Sequence, residues 1–295
     1  MIEVRGLSHS FGDRPVLSNI NLTVGESEIL GLIGVNGSGK STFLRLISGV
    51  LTPECGEVLY DGKAVSLGVA REELFFLPDD PFYDVGTSSD DLFKLYKTFY
   101  PHIDEATYVE MMGYAGLSRR KALSSFSKGM RRQAFIALAF AIAPKYLLLD
   151  EAFDGLDPLA RERFKKKVRD VAKRGSVVII SSHALKELEG FCDNYLVLNG
   201  AQLIPPEQMS QKMSNMLKYQ IAFETEPSIA WFTDLKMIHF EKKGRIATIL
   251  VEGEEEQVRA ELEELHPLII DRLEIAPGEN LLGAMEELAG GGDRR

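Results

Sequence analysis

The sequence predicts a parallel α/β fold over its first two-thirds, followed by a small α+β appendage. Three observations predict it. The runs Ile29 to Ile33, Tyr146 to Leu149 and Val177 to Ile180 are continuously apolar, as in strands buried on both faces. Each ends in polar residues and precedes a helical stretch, the strand–loop–helix rhythm of a parallel sheet. Beyond Pro205-Pro206 the pattern changes to short strands around one helix near Glu255 to Leu265.

The elements follow in chain order. Val16 to Val24 alternates apolar and polar residues, the period of a half-buried strand. Ile29 to Ile33 is a buried strand, followed by a glycine-rich loop and a helix from Lys40 to Ser48 that Gly49 stops. Glu57 to Tyr60 and Lys63 to Val65 flank Asp61-Gly62, a dipeptide suited to a tight hairpin. Residues from about Pro81 to Ala143 read as mainly helical, and the two later apolar runs complete the parallel sheet. In the appendage, strands are expected at Tyr219 to Phe223, Met237 to Phe240, Ile246 to Val251 and Leu268 to Ile275. His239 and His266, in apolar surroundings, are expected to pack, and Glu252, Glu254, Glu255 and Glu256 to form a solvated helix start. No internal repeat is present.

Composition narrows the function classes. With 295 residues, 45% hydrophobic and 26% charged, the chain can bury a sizeable core, and it is not disordered, collagen-like or a coiled coil. A bilayer span needs about 20 consecutive apolar residues, and the best run, Ala134 to Ala143, is about half that. The opening Met1-Ile2-Glu3-Val4-Arg5 reads as a strand, without a secretory signal pattern. Two cysteines, Cys55 and Cys192, are expected to be reduced thiols in a cytosol. The net charge of −10 lacks the basic footprint of a general nucleic-acid binder. Acidity concentrates late: Gln211 to Arg295 holds 10 Lys/Arg against 17 Asp/Glu. The clusters Arg119-Arg120-Lys121 and Lys165-Lys166-Lys167 read as solvated helix faces.

Gly34-Val35-Asn36-Gly37-Ser38-Gly39-Lys40-Ser41 fits G-x-x-x-x-G-K-[ST] between a strand and a helix. Glycines let the backbone wrap a polyphosphate with its N–H groups pointing inward, and the helix adds its positive end. Lys40 is placed to reach the β- and γ-phosphates, and the Ser41 hydroxyl to ligate Mg²⁺. The loop alone does not separate ATPases, GTPases and kinases.

Further motifs narrow the choice. Tyr146 to Leu149 ends in Asp150-Glu151, where the first carboxylate can hold Mg²⁺ and the second can polarise an attacking water. Upstream lies Phe126-Ser127-Lys128-Gly129-Met130-Arg131-Arg132-Gln133; downstream come Gly155-Leu156-Asp157 and Ser181-Ser182-His183. In this order and spacing the chain resembles the nucleotide-binding subunit of an ATP-binding-cassette (ABC) transporter over roughly residues 1 to 205.

The resemblance implies a P-loop NTPase fold with a mixed sheet, an antiparallel β-subdomain and a helical subdomain at about 81–143. It divides the chain into an ATP-binding domain, 1–205, and an accessory α+β domain, 211–290. It implies ATP held by Asn36, Gly37, Ser38, Gly39, Lys40, Ser41 and Thr42, with Phe11 stacked on adenine. Ser127 and Gly129 would contact the γ-phosphate of the other protomer, and Asp157 would communicate across the dimer. Glu151 matches the general base and His183 the switch histidine; Ser41 and Asp150 match the Mg²⁺ ligands. One position departs: the family commonly has Gln where this chain has Asp79, a carboxylate that can ligate a hard cation but donates no hydrogen bond.

The function implied is ATP hydrolysis by a head-to-tail dimer, of two copies or with a paralogue, driving substrate movement through separate membrane subunits. The direction implied is export, and the place the inner face of the cell membrane. No nucleic-acid partner is expected on this reading. The alternative is a soluble ABC ATPase acting on ribosomes or nucleic acid, although such proteins usually carry two cassettes or a long coiled-coil insertion.

Overall fold

The computed structural model describes residues 1–65, 73–183, 185–188, 190–199, 201–204 and 215–273. The chain divides into two compact units, Met1–Leu203 and Ile204–Arg295. Pro205-Pro206 and Ile275 lie outside the described residues.

The first unit opens with β1 (Ile2–Phe11) and β2 (Arg14–Val24), paired antiparallel with Ile2 opposite Val24. β3 (Ile29–Ile33) is buried at every position. α1 (Lys40–Ile47) follows, burying Phe43, Leu44, Leu46 and Ile47, and the chain leaves it where Gly49 takes a φ of 76°. β4 (Cys55–Tyr60) and β5 (Lys63–Ala64) form the expected hairpin. Its central residues, Asp61 and Gly62, have φ of 49° and 75°, the positive pair that matches a tight turn to strand twist. β6 (Leu74–Leu77) comes next.

The helical segment comprises α2 (Ser89–Phe99), α3 (Glu105–Tyr114) and α4 (Lys128–Ile142). α4 is buried continuously from Ala134 to Ala141, which marks a central helix rather than a surface one. It ends at Ala143, left-handed with φ of 46°, ahead of Pro144. β7 (Tyr146–Leu149), α5 (Pro158–Ala172), β8 (Val177–Ser182), α6 (Leu185–Leu188), β9 (Asn194–Asn199) and β10 (Gln202–Ile204) complete the order.

Two sheets result, one in the order β2-β1-β4-β5 and one in the order β10-β9-β3-β8-β7-β6. From β9 to β6 all neighbours in the second sheet are parallel. Ile33 pairs with Ser182, Leu149 with Ile180 and Leu77 with Leu149. The carboxyl ends of β3, β8, β7 and β6 therefore share one edge, where open α/β sheets bind ligands. One core joins the two sheets, with Ile2 and Val4 of β1 packed among Leu30, Leu32, Phe43 and Leu148.

Arg119-Arg120-Lys121 is in a turn rather than on a helix face, and Arg119 is paired with Asp90 at 2.6 Å and Glu105 at 3.0 Å. Lys165, Lys166 and Lys167 do lie on α5, where the Lys165 ammonium caps the rings of Phe153 and Phe191. Both cysteines are free thiols.

The second unit contains β11 (Met216–Ala222), β12 (Lys236–Lys243), β13 (Ile246–Glu252), α7 (Glu255–Glu264) and β14 (Ile269–Leu273). The strands form an antiparallel sheet in the order β12-β13-β11-β14. Leu217, Tyr219, Ile221, Ile249 and Val251 pack one face against Val258 and Leu262 of α7. The expectation that His239 and His266 pack is corrected, because both are exposed. His239 pairs with Leu250 on the face turned away from α7, and His266 occupies the turn after α7 with φ of 49°.

Candidate active site

The loop from Gly34 to Ser41 joins β3 to α1, and steric crowding dictates glycine within it. A Cβ on Gly34 would stand 2.4 Å from Ser38 Oγ and 2.7 Å from the Leu198 carbonyl oxygen. Gly39 has φ of 105°, and a Cβ there would stand 2.8 Å from Val16 Cγ1. α1 also differs from its neighbours at its start. Ser88, Asp104, Ser127 and Asp157 cap α2, α3, α4 and α5 through their side chains, whereas α1 has no side-chain cap and no acidic residue in its first turn. Its first amides remain available to an anion. Asn36 and Gly37 are exposed, Ser41 and Thr42 are half-buried, and Ser38 Oγ is buried with no hydrogen-bond partner among the described residues. Phe11 ends β1, 55% exposed and roughly perpendicular to the His9 ring with centroids 5.0 Å apart.

The sheet register brings the catalytic candidates together. Because Leu149 of β7 faces Ile180 of β8, the next residues, Asp150 and Ser181, lie side by side. Ser181 Oγ donates to Asp150 Oδ1 at 2.7 Å and accepts from the Glu151 N–H at 3.0 Å. Asp150 is 1% exposed, and its Oδ2 has no hydrogen-bond partner among the described residues. A buried acceptor left unmatched is costly unless a cation or a water completes it. The donor set thus fits a hard divalent ion.

Glu151 follows with φ of 46°, a left-handed backbone unusual for a side chain of its size. Its Oε1 lies 3.2 Å from Lys40 Nζ, and its Oε2 lies 2.9 Å from His183 Nδ1 and accepts the His183 N–H at 3.2 Å. Lys40, 5% exposed, also donates to the Gly34 carbonyl at 2.7 Å. The hydrogen bond to Glu151 raises the His183 pKa above the ordinary imidazole value; burial opposes this, and the charges of Glu151, Asp154 and Glu187 add to it. The Glu151 carboxylate is thus held between an ammonium and an imidazole just beyond the carboxyl end of β7.

Asp79 is placed differently from its expected role. Arg132, buried in α4, donates to Asp79 Oδ1 at 2.5 Å and to the carbonyls of Asp79, Pro78 and Asp150 at 2.6, 3.1 and 3.0 Å. Lys128 Nζ is 3.2 Å from the same Oδ1. Asp79 thus sits in an ionic network with Arg132 and Lys128. Ser127 is exposed and caps α4 by accepting the Met130 N–H at 3.2 Å. Gly129 meets the loop after Glu151, where a Cβ would stand 2.1 Å from the Gly155 carbonyl oxygen. Sequence reasoning missed Arg132 and Ser181 as organisers of the site, although both fall inside motifs it singled out.

The ABC transporter family profile matches residues 17–154. The chain is 30% identical over 278 residues to the ABC transporter ATP-binding protein YtrB of Bacillus subtilis, covering 93% of this chain and 94% of that one. It is 28% identical over 228 residues to the lantibiotic transport ATP-binding protein SrtF of Streptococcus pyogenes, covering 76% of this chain and 99% of that one. Among solved structures, a bacterial ABC transporter cassette determined as a dimer shares the fold, with a TM-score of 0.61 and 22% identity over 69% of this chain and 96% of that one. The chain belongs to the ABC transporter ATP-binding family and is an ATPase of the kind coupled to transport.

Proposed function

We propose that this chain powers an exporter, working as a head-to-tail dimer on the inner face of a membrane, beneath separately encoded membrane subunits. One observation carries the chemical part: Lys40, Glu151 and His183 meet at the end of the phosphate loop, at 3.2 and 2.9 Å. Without nucleotide, Lys40 and Glu151 neutralise each other. A triphosphate outcompetes a single carboxylate, so Lys40 turns to the β- and γ-phosphates. Glu151, left with His183, then takes a proton from an attacking water, while His183 contacts the γ-phosphate. The loop amides and the uncapped start of α1 hold the remaining charge. Ser41 and Asp150 would hold Mg²⁺, which would supply charge neutralisation for the triphosphate. Phe11 offers its exposed ring to adenine.

One protomer leaves this site open to water, with Phe11 at 55%, Val35 at 50% and His183 at 45% exposure. Ser127 and Gly129 at the start of α4 would close the site of the facing protomer. The dimeric cassette of shared fold supports this pairing, and the lantibiotic transport relative supports export. Docking of the membrane subunits is assigned to the cleft of about 420 Å³ lined by Pro78, Pro81, Phe82, Leu95, Phe99 and Tyr100. Phe82 is 87% exposed at its rim, and Val85 is 80% exposed nearby in sequence, an apolar patch that suits a protein partner. Among the described residues no helix is long and apolar enough to cross a membrane, so the membrane passage is assigned to those subunits. The second unit is assigned an accessory role over about 211–290.

Glu151→Gln tests the scheme. The variant should bind ATP, form a nucleotide-stabilised dimer on size exclusion and lose turnover. A variant that stays monomeric at saturating ATP would argue against the sandwich, and stimulation of the wild type by RNA or DNA would argue against transport.

A further inference from the structure

The two serines that end β8 have separate partners. Ser181 serves Asp150 and Glu151. Ser182, fully buried, donates to Glu187 Oε2 at 2.7 Å. Glu187 lies in α6 and is only 11% exposed, and its Oε1 stands 3.0 Å from Arg161 Nη1. A carboxylate so far withdrawn from water is costly unless donors meet it, and here each oxygen meets one. Arg161, near the start of α5, also donates through Nε to the Leu156 carbonyl at 3.0 Å.

Ser182, Glu187, Arg161 and Leu156 thus form one chain of contacts, and its ends flank the catalytic candidates. His183 directly follows Ser182, and Leu156 lies in the loop that begins at Glu151. His183 is 45% exposed, and both its N–H and its Nδ1 meet Glu151 Oε2. That same carboxylate is assigned above to the attacking water. A histidine whose partner has a second task needs another hold, and the buried Ser182–Glu187 bond supplies one a residue away.

We propose that Glu187 is a positioning residue for His183, clasping the end of β8 to Arg161 so that the imidazole stays aimed when Glu151 turns to its water. The kinetic consequence rests on the roles given to Glu151 and His183 under the proposed function, whereas the clasp itself does not. Arg161 is integral to it, because one planar fork serves both the Glu187 carboxylate and the Leu156 carbonyl.

Hydrogen exchange of the His183 amide in the nucleotide-free full chain is the direct test. Glu187→Gln leaves one side-chain acceptor where two are used, and Arg161→Lys keeps the charge but loses the fork. Each should speed exchange at His183 about fivefold, the scale of one hydrogen bond. The Glu151 amide, held by Ser181, should keep its wild-type rate. The double variant should exchange no faster than the faster single, because both changes break one chain of contacts. Wild-type exchange at His183 in both singles, or effects that multiply in the double, would overturn the proposal. In ATP turnover Glu187→Gln should lower kcat about tenfold, short of the ~100-fold of a full 1 Å misplacement, and leave the KM for ATP within about twofold. Added to His183→Gln it should lower kcat no further. An equal loss in both backgrounds, or a lowered Tm with wild-type kcat, would mark a structural tie only and overturn the positioning role. Wild-type kcat in His183→Gln alone would fail the role given to His183, and the exchange result would then decide the clasp by itself.

Discussion

Replacing Gly129 with alanine probes the junction on which the catalytic loop rests. The new Cβ would stand 2.1 Å from the Gly155 carbonyl oxygen and 3.0 Å from its carbon, with ordinary contact beginning at 3.4 Å. The two backbones must therefore part by roughly 1 Å, where a half-buried Gly129 meets the exposed Gly155. No side chain can rotate to absorb the strain, since the obstructing atoms are main chain and Gly155 is itself fixed at φ of 73°. Overpacking of this kind costs about 1–3 kcal/mol. For a folded unit of this size that is a fall in Tm of roughly 2–4 °C per kcal/mol. The displaced loop also carries Glu151, the base in the proposed mechanism, and a misplacement of about 1 Å there can cost ~100-fold in rate. The assay is a thermal melt of the nucleotide-free chain, followed by steady-state ATP turnover. A fall in the melt cannot come from a lost phosphate contact, because no phosphate is present. An unchanged Tm with full turnover would refute the packing argument.

Two further outcomes follow from the same geometry. Arg132→Met keeps the aliphatic stem but strands the carbonyls of Pro78, Asp79 and Asp150 and leaves Asp79 to Lys128 alone; it should cost about 1–3 kcal/mol in chemical denaturation, and an unchanged stability would contradict the network. His183 has a raised pKa in the folded chain through its hydrogen bond to Glu151, so the native state holds that proton more tightly than the unfolded chain. The stabilisation is complete below the ordinary value of 6.5 and is lost as pH rises through the raised native value. The Tm advantage of wild type over His183→Gln should shrink across that window, and a constant difference from about pH 5.5 to 8.5 would exclude the pairing.

Much of the site was legible because its chemistry is local. The phosphate loop is readable from eight consecutive residues, since crowding at Gly34 and Gly39 excludes any side chain. The Asp61-Gly62 hairpin is equally local, as positive φ at both positions suits few other dipeptides. What could not be read depends on contacts between distant segments. Asp79 is expected at the metal because it aligns with the position where the family commonly has Gln; its pairing with Arg132 and Lys128, about fifty residues on, appears only when α4 packs beside β6. The closeness of Gly129 and Gly155 is likewise a product of tertiary packing. His239 and His266 were misjudged because neighbouring apolar residues do not reveal which sheet face, or which turn, a side chain will occupy.

Glu151 has a left-handed backbone, with φ of 46°. An L-residue in that conformation costs roughly 1–2 kcal/mol, so something must hold it. Its N–H is bound by Ser181, and its carboxylate is pinned from two sides by Lys40 and His183. The twist turns the chain sharply at the end of β7, so that Asp150 stays buried against Ser181 while the next side chain reaches across to the neighbouring strand end. Two adjacent carboxylates thereby occupy different environments: one is 1% exposed with an oxygen left unmatched, the other 13% exposed and already paired with two nitrogen groups. Adjacent acids divided in this way can serve separate tasks, one toward a hard ion and one toward a proton. An extended backbone at Glu151 would send its side chain to the opposite side of the strand line from Asp150 and forfeit its bond to His183.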